Sequence, residues 1–100
     1  MSIKTIGVVG AGAMGSGIAH IAAMAGYDVI LRDIDIAFVE RATKNMDKLM
    51  ARSVEKGKMT EEARQATLAR IKGTTVLEDF AAADFVIEVA AQLPLDVVDR

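Results

Sequence analysis

Five glycines crowd the fifteen residues from Ile6 to His20, IGVVGAGAMGSGIAH. Glycine gives up more backbone freedom on folding than any other residue, and inside a helix or strand it costs roughly 0.5–1 kcal/mol relative to alanine. Such a cluster therefore answers a geometric need. Gly10, Gly12 and Gly15 fit G-x-G-x-x-G, a pattern whose meaning depends on what surrounds it. Ahead of it, Ile6, Val8 and Val9, with Ile3 before them, make a short apolar run ended by Gly10. That suits a strand buried on both faces in a parallel sheet. Behind it, Met14 to Ala25 is small and apolar and predicts a largely buried helix, with Gly26 just past its end. A second apolar run, Val29 to Leu31, closes at Arg32 and Asp33, so a carboxylate ends the second strand 23 positions after Gly10. Strand, glycine loop, helix and downstream acid together are the setting in which this fingerprint binds a dinucleotide.

Each position then has a task. Gly10 permits the tight turn out of the strand, Gly12 lets backbone approach a pyrophosphate, and Gly15 allows close contact between helix and sheet. Ala11, Ala13 and Met14 supply the backbone between them, and the helix start adds free N–H groups and about half a positive charge. Gly7 is assigned to a crowded strand and Gly17 to close helix packing. Asp33 would accept hydrogen bonds from the adenine-ribose hydroxyls and repel a 2′-phosphate, which favours NAD over NADP. Arg32 adjoins it, but neighbouring side chains on a strand point to opposite sides. On these residues alone, FAD and S-adenosylmethionine proteins remain open, as does a tight turn without ligand.

The rest of the chain alternates in the same way. Ile36 to Lys56 predicts a long helix with Val39, Ala42, Met46, Leu49, Met50 and Val54 on its buried face, ended by Gly57. Thr60 is an N-cap, with Glu61 and Glu62 in the first turn of a third helix running to about Ile71. Thr74 to Val76 and Phe85 to Val89 read as two further strands, and Pro94 as the start of another helix. The expected fold is α/β: a Rossmann-type parallel sheet with flanking helices, one domain over residues 1–100, truncated after the fourth strand. With no cysteine and one histidine, thiolate chemistry is excluded and no metal site is expected. A net charge of −2 gives no pull toward nucleic acid, and no apolar run approaches the length that spans a bilayer. The expectation is a soluble cytoplasmic chain without nucleic-acid or membrane partners.

Several stretches carry a more specific resemblance. IGVVGAGAMGSGIAH, YDVILRDID, VEKGKMTEE, RIKGTT and DFVIE, in this order and spacing, resemble the amino-terminal domain of the 3-hydroxyacyl-CoA dehydrogenase family, nearest its bacterial 3-hydroxybutyryl-CoA members, over roughly residues 3 to 89. The resemblance implies an NAD-dependent oxidoreductase that interconverts an (S)-3-hydroxyacyl-CoA and its 3-oxoacyl-CoA. It also implies a catalytic histidine–glutamate pair after the fourth strand, and a helical carboxy-terminal domain that mediates homodimerisation. None of these falls within the 100 residues, so the chain is expected to be a fragment with cofactor-binding residues and no catalytic ones. A stand-alone, non-catalytic nucleotide-binding module is the alternative. His20, one turn past the glycine loop, is assigned no chemistry. The family's glutamate and lysine on the nicotinamide side are replaced by Gln92 and Val97.

One surface feature remains. Lys44, Lys48, Arg52 and Lys56 recur every four residues along the second helix, a column of like charge that costs about a few tenths of a kcal/mol per pair. The resemblance implies a use for it, because Lys56 aligns with a family lysine that contacts CoA, whereas Leu49 replaces a contacting serine. The competing explanation is a solvated helix face compensated by Glu40, Asp47 and Glu55.

Overall fold

A computed structural model describes residues 3–89, so Pro94 and the Gln92 and Val97 departures lie outside the described residues. Thr5–Val9 forms strand β1, Ala13–Met24 helix α1 and Asp28–Arg32 strand β2. Helices α2 (Ile36–Glu55) and α3 (Glu61–Ala69) follow as a pair, then strand β3 (Ile71–Thr74). A 3₁₀ segment, Leu77–Ala82, leads into strand β4, Phe85–Glu88. The strands pair in parallel in the order β3-β2-β1-β4, with Val9 beside both Arg32 and Glu88. Parallel pairing brings the carboxyl ends of β1 and β2 to one rim, where Gly10 and Asp33 follow them directly. The strand order reverses between β1 and β4, which is where open α/β sheets place their ligands.

Alternate residues of β1 serve opposite faces, as the pleat requires. Val8 joins a core of Ala19, Ala22 and Ala23 from α1, Val29 and Leu31 from β2, and Val39, Ala42, Met46 and Met50 from α2. Its neighbour Gly7 faces the Phe80 ring, with Phe80 Cδ1 3.1 Å from where a Cβ would stand. Burying each of Val8, Val29, Leu31 and Met50 in full contributes about 1.5–3 kcal/mol.

Four expectations need correction. The third helix ends at Ala69, and β3 occupies Ile71–Thr74 instead of Thr74–Val76. Here tertiary pairing overrides the helical pattern, since Ile71 to Thr74 align with Val29 to Arg32. Gly73 matters to this, because any Cβ there would run into Val39 Cγ1 of α2. Thr74 then turns the chain out of the sheet: its Oγ1 accepts from the Val76 N–H at 3.0 Å and donates to Asp79 Oδ2. Second, α1 is only half buried, with Met14, Ile21 and Met24 exposed at 62%, 71% and 54%. Third, Leu49 sits at the edge of the α2 stripe and is exposed, while Met46 and Met50 carry the contact. Fourth, Gly17 has nothing within 4 Å of a Cβ position among the described residues, so close packing against them does not explain it.

Candidate dinucleotide-binding site

The loop between β1 and α1 is shaped by two glycines. Gly10 adopts a φ of +109°, a backbone region that L side chains rarely occupy. A Cβ on Gly15 would overlap the carbonyl oxygen of Gly10. The third fingerprint glycine therefore permits the helix to fold back onto its own loop, a tighter constraint than the helix–sheet contact expected of it. Gly12 stands at the N-cap of α1 and supplies no side-chain hydrogen bond. By contrast, Asp35 Oδ1 accepts from the Ala37 N–H in α2, and Thr60 Oγ1 accepts from the Ala63 N–H in α3. Among the described residues, the first-turn N–H groups of α1, which a helix cannot satisfy internally, are left without a side-chain cap. They present donors and the positive end of the helix dipole at the rim of the sheet, as a pyrophosphate requires.

Asp33 is tied to the same loop. Its Oδ2 accepts from the Ala11 N–H at 2.8 Å and its Oδ1 from the Ile34 N–H at 2.7 Å. The carboxylate is thus fixed in place by backbone donors, and each oxygen keeps further lone-pair capacity. Arg32 points elsewhere, as alternation predicts, and its Nε donates to the Thr75 carbonyl at 3.1 Å. A cleft of about 560 Å³ opens beside Asp33, lined also by Ala11, Gly12, Ala13, Ser16, Ile34, Phe38 and Arg41. Of the sequence-predicted residues, Gly12, Ala11, Ala13 and Asp33 share this cleft, Gly10 and Gly15 shape the loop behind it, and Met14 is exposed at the helix start. Ile34, Phe38 and Arg41 were missed. Their signal was present, because Ile34 and Phe38 are apolar, four apart, directly after the acid and off the buried stripe of α2.

Lys56 lies apart from this cleft, as the exposed C-cap of α2. Lys44, Lys48 and Arg52 are exposed along the same helix. Asp47, expected to compensate them, instead meets Arg64 of α3 at 2.6 Å and joins the two helices. A larger groove of about 910 Å³ runs between α1, α2 and α3, lined by His20, Met24, Leu49, Ser53, Lys58 and Arg70, among others. Among the described residues, Nε2 of His20 is buried there without a hydrogen-bond partner, and burial lowers the histidine's pKa.

A parallel sheet with an uncapped glycine turn at its switch point and an acid after its second strand defines a dinucleotide-binding α/β domain. Residues 5–93 match the family model described as 3-hydroxyacyl-CoA dehydrogenase, NAD binding domain, and the chain belongs to that family. It is 44% identical over 90 residues to a 3-hydroxybutyryl-CoA dehydrogenase of Bradyrhizobium diazoefficiens, covering 90% of this chain and 31% of that protein. A probable 3-hydroxybutyryl-CoA dehydrogenase of Bacillus subtilis is 45% identical over 92 residues, 92% of this chain and 32% of the relative. The crystal structure of (S)-3-hydroxybutyryl-CoA dehydrogenase from Ralstonia eutropha superposes with a TM-score of 0.88 at 41% identity, covering 98% of this chain and 35% of that one. The chain spans about a third of the length of these relatives. Among the described residues, no helix is long and apolar enough to cross a membrane.

Proposed function

We propose that this chain holds NAD for a dehydrogenase that interconverts (S)-3-hydroxyacyl-CoA and 3-oxoacyl-CoA thioesters, nearest the 3-hydroxybutyryl-CoA members of the family. The observation that carries the cofactor site is the hold of Asp33 on the Ala11 N–H, which joins the acid to the phosphate loop in one rigid unit. Gly10, Ala11, Gly12, Ala13, Met14 and Gly15 would seat the pyrophosphate against the start of α1, and Asp33 would take the adenine-ribose hydroxyls. NAD, when bound, supplies the hydride acceptor. The chain's own part is to bind and orient, since no catalytic acid or base is assigned to it and His20 lies in a separate groove.

The acyl-CoA partner is assigned to the opposite end of α2. Lys56 continues an exposed cationic column, and the neighbouring Leu49 and Ser53 line the larger groove, so phosphates and an apolar chain would find complementary surfaces side by side. The names of the relatives support the thioester substrate class. We assign homodimerisation to a helical region outside this chain, and the reaction to the cytoplasm, where NAD and CoA thioesters are both supplied.

Titration calorimetry tests both assignments at low salt. Asp33→Asn should weaken NAD binding about tenfold, the scale of a lost charge-assisted hydrogen bond. Lys56→Glu should weaken the binding of free CoA and leave NAD unchanged. NAD affinity indifferent to Asp33, or CoA affinity indifferent to Lys56, would sink the corresponding assignment.

A further inference from the structure

The cleft beside Asp33 contains a cation that the cofactor reading does not use. Arg41 lies on the second turn of α2, with its guanidinium carbon 5.7 Å from the centroid of the Phe38 ring. Phe38 and Arg41 are three apart on the helix, so they share a face, and both line the cleft with Asp33. A guanidinium carries five N–H donors in a fixed fork that matches phosphate oxygens. Among the described residues, Arg41 makes no ion pair and donates no hydrogen bond, whereas Arg32 and Arg64 are both engaged. Stacking on Phe38 restrains the head group and leaves its donor edge free.

We infer that Arg41 sets how strongly this site rejects a 2′-phosphate, acting against Asp33 across the same cleft. The inference rests on the assignment of Asp33 to the adenine ribose. A carboxylate at the ribose repels the phosphate of NADP. A free guanidinium lining the same cleft offsets that repulsion with a charge-assisted contact that NAD, carrying a hydroxyl there, does not make. The site therefore prefers NAD by less than its acid alone would dictate. Cofactor preference is a balance between a carboxylate at the end of β2 and a cation on the second turn of α2. It does not follow from the glycine loop, which meets the pyrophosphate common to both cofactors.

Titration of the chain with NAD and with NADP, for wild type, Arg41→Gln, Arg41→Lys and Asp33→Asn, tests this. Arg41 is exposed, so its replacement leaves the core intact. Arg41→Gln should weaken NADP about tenfold and NAD less than about threefold, the difference expected of one charge-assisted hydrogen bond. Arg41→Lys should recover part of the NADP affinity, because it keeps the charge and loses the fork. Asp33→Asn should narrow the preference from the other side, with NADP gaining as NAD weakens. Equal losses for the two cofactors in Arg41→Gln would make Arg41 a general adenosine contact and overturn the inference, as would no change in either. If Asp33→Asn moves NAD while Arg41→Gln leaves the ratio unchanged, this inference fails and the site assignment stands. If Asp33→Asn leaves NAD unchanged, both fail.

Discussion

Gly15 and Gly17 lie two residues apart in the same helix, and a methyl group added to each would have opposite consequences. At Gly15 the new carbon meets the backbone carbonyl of Gly10, which cannot move without reshaping the phosphate loop. Overpacking of this kind costs about 1–3 kcal/mol. The loop's donors would also be displaced from the geometry a pyrophosphate needs. At Gly17 the space is open among the described residues, and alanine is a better helix former by roughly 0.5–1 kcal/mol. Gly15→Ala should therefore lower the urea midpoint and abolish NAD binding, while Gly17→Ala raises the midpoint and leaves binding alone. Denaturation and titration of the two variants check this; a tolerated Gly15→Ala would mean that the loop relaxes freely. The fingerprint was legible in sequence because its spacing is local and its glycines are few. Gly17 was misassigned because spacing alone does not say which helix face meets a neighbour.

Titratable groups at the ends and faces of elements make stability depend on pH in two windows, one for carboxylates and one for histidine. Asp84, just before β4, accepts from the Lys4 and Thr5 N–H groups at 2.9 and 3.0 Å, which ties the start of β1 to β4. Those two backbone bonds, Lys4 first, lower its pKa below the usual carboxylate value. A depressed folded-state pKa means that the stabilisation is present above the unfolded value and is lost as pH falls through the folded one. Glu61 behaves alike, lowered by hydrogen bonds from Gln65 and then Arg64. His20, lowered by burial, binds its proton more weakly folded than unfolded, so stability also declines as pH drops below the ordinary histidine value. Asp84→Asn should melt below wild type near neutrality and converge with it in acid, in thermal melts taken across the carboxylate range. Parallel curves at every pH would remove Asp84 from the account. The sequence pointed to Thr60 as a cap because capping is local. It could not point to Asp84 or to the Arg64–Asp47 bridge, whose partners meet only once the sheet and the helix pair have formed. The β3 boundary was misplaced for a similar reason, since its register is set by β2, which lies about 40 residues away in sequence.

At the scale of the whole molecule, alternation of apolar runs with helical patterns was enough to foresee the parallel sheet, because right-handed crossovers leave few topologies. The cleft was harder to foresee, since it combines the loop after β1, the acid after β2 and the outer face of α2, three places that sequence treats separately. These elements all lie within the described residues, and together they form the cleft proposed to take the adenosine and pyrophosphate. The nicotinamide side is different, because Gln92 and Val97 stand where the family resemblance places a glutamate and a lysine. Binding energy in this chain should then come from the ADP-ribose half of NAD alone. A ligand at 100 times its Kd stabilises the folded state by about 2.7 kcal/mol. For a domain of 100 residues that raises Tm on the order of 10 °C or more. At equal concentrations, NAD and ADP-ribose should raise the melting temperature by equal amounts, and nicotinamide mononucleotide should raise it not at all. A markedly larger shift with NAD would show that Gln92 and Val97 replace the family's residues without loss of the nicotinamide contact. The same comparison on Asp33→Asn separates the causes, because that substitution should reduce the NAD and ADP-ribose shifts together while leaving the nicotinamide mononucleotide baseline where it was.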